Sequence, residues 1–237
     1  MTSTTPNIDP AEVAKFDALA TRWWDPDSEF KPLHDINPLR LSYIERHAGS
    51  LQDRQILDVG CGGGILAEAM AALGAQVTGI DMAGEALAIA RLHQLETGVP
   101  LDYQQATAEQ WAEQHAGRYD IVTCMELLEH VPDPATLVGA CTRLLRPGGQ
   151  LFLSTINRNA KAYLYAILGA EYLLRLLPKG THDYAKFIRP SELGHWLRQA
   201  GTELTDLTGL TYDPLSRRYS LGSDVNVNYL CCAIRRS

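Results

Sequence analysis

The chain has 237 residues, 46% of them hydrophobic and 21% charged, and its 21 Lys and Arg against 28 Asp and Glu leave a net charge of -7. That length suits one α/β domain with an appendage, and the acidic balance excludes a general nucleic-acid binder, which needs a basic face. Five cysteines with no C-x-x-C pair predict free thiols in a reducing cytoplasm, Met1 to Pro10 lacks the basic start and apolar core of a signal peptide, and no apolar run approaches the ~20 residues of a bilayer span.

Met1 to Asp9 is polar and expected to be disordered. Pro10 to Arg22 reads as a helix: Asp9 can cap it, Pro10 fits its first turn, and Val13, Phe16, Leu19 and Ala20 form an apolar stripe. Trp23-Trp24-Asp25-Pro26 ends it. The prolines at 32 and 38 predict an irregular path before a second helix over Leu39 to His47. No sheet needs this aromatic, basic segment, so residues 1–50 are a candidate helical lid. The plainer reading of the Trp pair is packing. Under a lid, Arg40 is free to pair with a ligand carboxylate, which a planar guanidinium can bond twice. Otherwise it is a surface arginine on that helix.

Gln55 to Gly64 reads Gln-Ile-Leu-Asp-Val-Gly-Cys-Gly-Gly-Gly, an apolar strand running into four glycines within five residues. Ile65 to Leu73 follows with helical spacing. Strand, glycine turn and helix hold a nucleotide-like ligand at the carboxyl end of a sheet. A dinucleotide-binding pattern can be placed only late, on Gly62, Gly64 and Ala67, whereas the turn already starts at Gly60. A tight turn with no ligand is the bland alternative. The natural register, Asp58-x-Gly60-x-Gly62-x-Gly64, resembles the first motif of class I S-adenosylmethionine (SAM) methyltransferases. Asp58 then stands near the cationic methionine part of SAM. Asp81, after the strand Gln76 to Ile80, can accept both ribose hydroxyls.

Ala83 to Thr97 is a helix and Leu101 to Gln105 a short third strand. Beyond it the superfamily often places an acid near the adenine, where this chain has Thr107. Tyr119 to Met125 is the fourth strand and leads into Met125-Glu126-Leu127-Leu128-Glu129-His130. Asp133 caps a helix through Leu145, and Arg146-Pro147-Gly148-Gly149 turns into the fifth strand, Gln150 to Ile156. The insertion 157–189 carries an apolar stretch, Tyr163 to Leu177, flanked by Arg158, Lys161, Arg175, Lys179, Lys186 and Arg189. It suits a helix lying in a membrane interface, or one packed on the core or a second subunit. Pro190 to Ala200 is a helix, Glu203 to Leu210 begins the sixth strand region, and Val225 to Ile234 is the last strand. The expected fold is a class I, Rossmann-like α/β domain over 51–237: a seven-stranded, mostly parallel sheet with one antiparallel strand and helices on both faces.

Methyl transfer from a sulfonium is an in-line displacement, so positioning can supply most of the catalysis. A phenol with a pKa near ~10 attacks well only as phenolate, which calls for a base or a cation. Glu126, Glu129 and His130 offer either. Spacing i, i+3, i+4 would put them on one face of a helical turn. Two carboxylates and an imidazole suit a divalent ion, Mg²⁺ in preference to Zn²⁺, able to bind both oxygens of a catechol. Alternatively His130 alone takes the proton, or the glutamates are structural or bond the cofactor.

Lys15-Phe16, Arg22-Trp23-Trp24-Asp25, Glu29-Phe30-Lys31-Pro32-Leu33-His34, Ile36-Asn37-Pro38-Leu39-Arg40, Leu57 to Leu66, Met125 to His130 and Lys179-Gly180-Thr181-His182-Asp183 together resemble the bacterial ubiquinone-biosynthesis O-methyltransferases, from about Ile8 to Tyr229. The resemblance implies SAM-dependent methylation of ring hydroxyls on a 2-polyprenyl-6-hydroxyphenol and a 3-demethylubiquinol. It implies cofactor contacts at Arg40, Gly60, Asp81 and Met125. Through mitochondrial relatives it implies Mg²⁺ on Glu126, Glu129 and His130. A polyprenyl tail gives the stretch 163–189 a purpose at an anionic surface, on the inner face of the cytoplasmic membrane, and makes other ubiquinone-pathway enzymes candidate partners. Two other readings stand: a methyltransferase of another small phenolic substrate or of a protein, and a non-catalytic SAM-binding protein.

Overall fold

The apolar runs become eight strands: β1 (Gln55–Val59), β2 (Gln76–Asp81), β3 (Asp102–Gln105), β4 (Tyr119–Met125), β5 (Leu145–Ile156), β6 (Thr202–Asp213), β7 (Arg218–Gly222) and β8 (Asn228–Arg235). Among the described residues the α-helices are α1 (Pro10–Leu19), α2 (Lys31–Ala48), α3 (Ile65–Ala72), α4 (Gly84–Thr97), α5 (Ala108–His115), α6 (Pro134–Leu144) and α7 (Pro190–Gln199). The computed structural model describes residues 7–158 and 186–236. The apolar stretch Tyr163 to Leu177 therefore lies outside the described residues.

The strands form one sheet in the order β3-β2-β1-β4-β5-β8-β6-β7. β1 to β5 run parallel. β8 is antiparallel to both β5 and β6, and β7 is antiparallel to β6. The sheet thus has eight strands instead of seven, and two of them run against the rest. The difference is a hairpin: β6 continues past Leu210 to Asp213 and pairs with β7 through Leu210–Leu221 and Tyr212–Tyr219. Cross-strand aromatic pairs of this kind stabilise a hairpin, and the two tyrosine rings lie 4.8 Å apart. β5 also starts earlier than expected, at Leu145, and takes in the Pro-Gly-Gly stretch as an irregularity in its pairing with β4.

Strand alternation sets the two faces. Leu57, Val59, Leu151, Leu153 and Cys231 pack with α5, α6 and α7. Ile56, Phe152 and Cys232 pack with α2, α3 and α4. The adjacent Cys231 and Cys232 therefore belong to different cores, and all five cysteines are buried free thiols.

The irregular path expected before Leu39 does not form. α2 starts at Lys31 and runs through both prolines. Pro32 sits in the first turn, where its missing N–H costs nothing. Pro38 forfeits a bond in mid-helix, at about 3 kcal/mol. Burying Ile36, Tyr43 and Ile44 against the sheet stabilises by roughly 1.5–3 kcal/mol for each side chain, so packing overrides the proline. Residues 7–9 are also ordered by contacts: the Asn7 amide donates to the Asp133 carbonyl at 2.8 Å. Among the described residues, no helix is long and apolar enough to cross a membrane.

Strand order reverses between β1 and β4. A crevice opens at the carboxyl ends of neighbouring strands whose connections lead to opposite faces, and that crevice is the site.

Candidate active site

A cavity of about 1090 Å³ occupies this crevice. Arg40, Asp58, Gly60, Gly62, Asp81, Met125, Glu126, Glu129 and His130 all line it. Gly64 does not. It stands at the head of α3 with φ +90°, and a Cβ there would strike the Tyr103 hydroxyl, so its part is turn geometry and packing.

The glycine turn is held through its main-chain amides and carbonyls. The Gly60 N–H donates to the Ile80 carbonyl at 2.8 Å. Asp81 Oδ2 accepts the Gly62 N–H and Oδ1 the Ala83 N–H, both at 2.8 Å. Gly62 has φ +51°, and a Cβ there would overlap the Trp23 ring. Trp23 stacks on Phe30 with ring centres 4.0 Å apart. Trp24 donates to the Gly63 carbonyl at 2.9 Å and stacks on His93. The tryptophan pair therefore packs on the glycine turn itself.

Two charged groups are buried beside it. Register sets Asp58 opposite Thr123, whose hydroxyl donates to Asp58 Oδ1 at 2.6 Å. Burial pushes the Asp58 carboxyl up to about 7, against the pull of the Thr123 bond and Arg40. Burial also raises Asp81, against its amide bonds. Arg40 is 6% exposed, so it is no surface arginine. Its Nη2 lies 3.4 Å from Glu126 Oε1, yet among the described residues neither Nε nor Nη2 makes a hydrogen bond. Leaving charged donors without a hydrogen bond in the interior costs more than ~1–3 kcal/mol. An anionic ligand group such as a carboxylate would satisfy them.

The loop after β4 does not form the expected helical turn. Glu126 takes φ +55°, rare for a residue with a Cβ. Its N–H donates to the Ser154 carbonyl at 3.1 Å, and the Ser154 hydroxyl donates to Glu126 Oε1 at 2.8 Å. Only Leu128–His130 forms a short 3-10 turn. Glu129 is buried and accepts the Thr155 hydroxyl at 2.7 Å. Burial and then the Glu126 charge push its carboxyl up to about 7. His130 Nδ1 lies 2.9 Å from Glu12 Oε2 on α1. Burial works against charge on this imidazole, but the Glu12 bond and the charges of Glu129, Glu12 and Glu126 outweigh it and raise its pKa. The His130 bond in turn holds Glu12 down at about 2.

The three side chains thus turn to three different partners. Among the described residues, no three of His, Cys, Asp and Glu gather as a metal site would need. In this arrangement Glu126, Glu129 and His130 do not fit one shared ion.

A family model described as a methyltransferase domain matches residues 34–207. The ubiquinone biosynthesis O-methyltransferase of Pseudomonas aeruginosa (strain UCBPP-PA14) is 66% identical over 94% of this chain and 96% of its own. The chain belongs to the ubiquinone biosynthesis O-methyltransferase family. The relative from Aromatoleum aromaticum is 65% identical, covering 94% of this chain and 95% of its own. Among solved structures, magnesium protoporphyrin IX methyltransferase from Synechocystis PCC 6803 with bound SAH superposes with a TM-score of 0.68 at 18% identity, covering 94% of each chain. That likeness confirms the class I methyltransferase fold.

Several residues of this O-methyltransferase's site carry no motif. Glu12, Thr123, Ser154 and Thr155 enter it as partners of charged groups. Strand pairing would have found Thr123 and Ser154, since each sits opposite or beside a motif residue. Nothing in the spacing points from His130 back to Glu12. Thr107, where the superfamily often has an acid, caps α5 in a reciprocal pair with Gln110.

Proposed function

We propose that His130 takes the proton from the acceptor hydroxyl through Nε2 as the methyl group is transferred. This enzyme is a SAM-dependent O-methyltransferase of ubiquinone biosynthesis. The observation that supports the proton role is the Glu12 carboxylate on Nδ1, which leaves Nε2 as the ring nitrogen for the cavity. When bound, SAM supplies an electrophilic methyl on a sulfonium. Around it, Arg40 holds the methionine carboxylate with Nε and Nη2, whose hydrogen-bonding capacity is open among the described residues. Asp81 accepts the ribose hydroxyls, Asp58 faces the cationic methionine part, and Gly60, Gly62 and Met125 bound the space. Gly64 sets the turn. Residues 1–50 act as a lid on the domain 51–237.

The acceptors are a 2-polyprenyl-6-hydroxyphenol and a 3-demethylubiquinol. Their polyprenyl tail brings the enzyme to the inner face of the cytoplasmic membrane through 163–189, where other pathway enzymes meet it. The charge pattern of that stretch supports an anionic surface. Vesicle cosedimentation unchanged by Arg175→Glu with Lys179→Glu would remove this contact.

The deciding experiment is methyl transfer from labelled SAM to a short-chain prenylated catechol, with and without EDTA. Product indifferent to EDTA and lowered ~10²–10⁴-fold by His130→Ala supports the base. Product abolished by EDTA and restored by Mg²⁺ would shift the role to an ion on Glu126, Glu129 and His130.

A further inference from the structure

α1 buries none of its own residues, yet it roofs the cavity with Glu12, Val13, Phe16 and Leu19. A helix with so little apolar burial needs other attachments. Val13, Phe16 and Leu19 pack half-buried beside Trp23, Phe30 and Ala86, Asp17 accepts the Glu85 N–H of α4 at 3.0 Å, and further polar contacts lie towards the loop after β4. Asn7 exchanges two hydrogen bonds with the main chain of Asp133, at 2.8 and 2.9 Å, and donates to Glu109 at 3.0 Å. Asp9 pairs with Lys186 at 3.2 Å.

Glu12 sits at the centre of these contacts with its two oxygens divided. Lys15 lies 2.9 Å and Lys186 3.6 Å from Oε1. Oε2 faces His130 Nδ1 at 2.9 Å. Phe16, one turn further along α1, meets the imidazole edge-on at 5.3 Å. A lysine pair on an exposed helix would explain Oε1 alone. It does not explain a carboxylate turned inward onto a ring nitrogen, with a side chain only 13% exposed.

We propose that Glu12 is a positioning residue for methyl transfer: it accepts the Nδ1–H of neutral His130 and so presents the Nε2 lone pair to the acceptor hydroxyl. The inference rests on His130 as the base. Because Glu12 rides on α1, the imidazole is held in this tautomer only while the helix is seated over the cavity. Closing the roof and arming the base are then one event. The logic is that of a base oriented by a third group, with the third group supplied by the lid.

The test compares Glu12→Gln, His130→Ala and the double variant by labelled methyl transfer, together with ¹⁵N NMR of the His130 ring. Glu12→Gln is expected to lower kcat by about 10–100-fold, a part of the ~10²–10⁴ that a positioned base supplies, with KM for SAM unchanged. It should add nothing to His130→Ala. The ring should be Nδ1-protonated in the wild type and a tautomer mixture in Glu12→Gln. A wild-type kcat in Glu12→Gln, or a further loss on the His130→Ala background, would overturn the positioning role and leave the base standing. Full activity in His130→Ala would overturn both. Glu12→Asp should recover part of the lost kcat, and a loss of SAM affinity in place of kcat would make Glu12 a strut of the roof only.

Discussion

The glycine turn and the loop after β4 face the same cavity but are built from different material. The turn is fixed through its own main chain by groups close to it: the Gly60 amide on the Ile80 carbonyl, and the Gly62 and Ala83 amides on the Asp81 carboxylate. The loop is fixed by side chains from elsewhere. Ser154 stands 28 positions away from Glu126, Thr155 stands 26 from Glu129, and Glu12 stands 118 from His130. A backbone-built site tolerates few residue types, because the chain path itself is the device. A side-chain-built site keeps its path and loses its chemistry one group at a time.

The sharpest way to break the turn is Gly62→Ala. The left-handed φ of +51° costs ~1–2 kcal/mol for any Cβ, and the overlap with Trp23 adds ~1–3 kcal/mol of overpacking. Denaturant unfolding should show a loss of about 2–5 kcal/mol. An unchanged midpoint would mean that the turn and Trp23 move apart freely. Next in size is Asp81→Ala, which strands the Gly62 and Ala83 amides and removes the acceptor proposed for the ribose. SAM affinity by calorimetry should fall by ~1.5–3 kcal/mol. Equal affinity would place the ribose elsewhere.

Asp58 sharpens the comparison through pH. Its carboxyl lies at about 7 in the folded state against an ordinary 3.8. Between these values the folded state keeps a proton that the unfolded state has released. Stability from this group is therefore complete below pH ~4 and lost as pH rises towards ~7, at up to ~1.4 kcal/mol per pH unit. Asp58→Asn removes that slope, so urea unfolding at several pH values should show it gaining on the wild type as pH rises. Parallel curves would mean that Asp58 titrates alike in both states.

This contrast also explains what could be read from residues alone. The strand, the glycines and Asp81 follow one another in the chain, and a strand-turn-helix pattern makes them visible. Four features were hidden for physical reasons. The helix through Pro38 depends on burial by a sheet that local spacing does not show. The hairpin of β6 and β7 depends on tyrosines pairing across a turn. The expected helical turn at Glu126 gave way because Ser154, brought alongside by β5, offers the Glu126 amide and carboxylate better partners than a helix would. Glu12 reaches His130 only when a polar-latched helix folds over a crevice that the rest of the chain must first create.

Thr107 gives the smallest effect and the finest test of where the cofactor region ends. The residue lines the cavity, so it is open to being a ligand contact. Its hydroxyl, however, already accepts the Gln110 N–H at 3.2 Å, and the Gln110 side chain returns a bond to the Thr107 N–H. A side chain so engaged is a helix cap, and removing a cap costs ~1 kcal/mol. Thr107→Ala should therefore lose ~1 kcal/mol of stability with SAM affinity unchanged. Thr107→Asp, which can cap equally well, should keep the stability. If Thr107→Ala weakened SAM binding as much as folding, the hydroxyl would serve the adenine as well as α5, and the cofactor region would extend past β3 to the head of that helix.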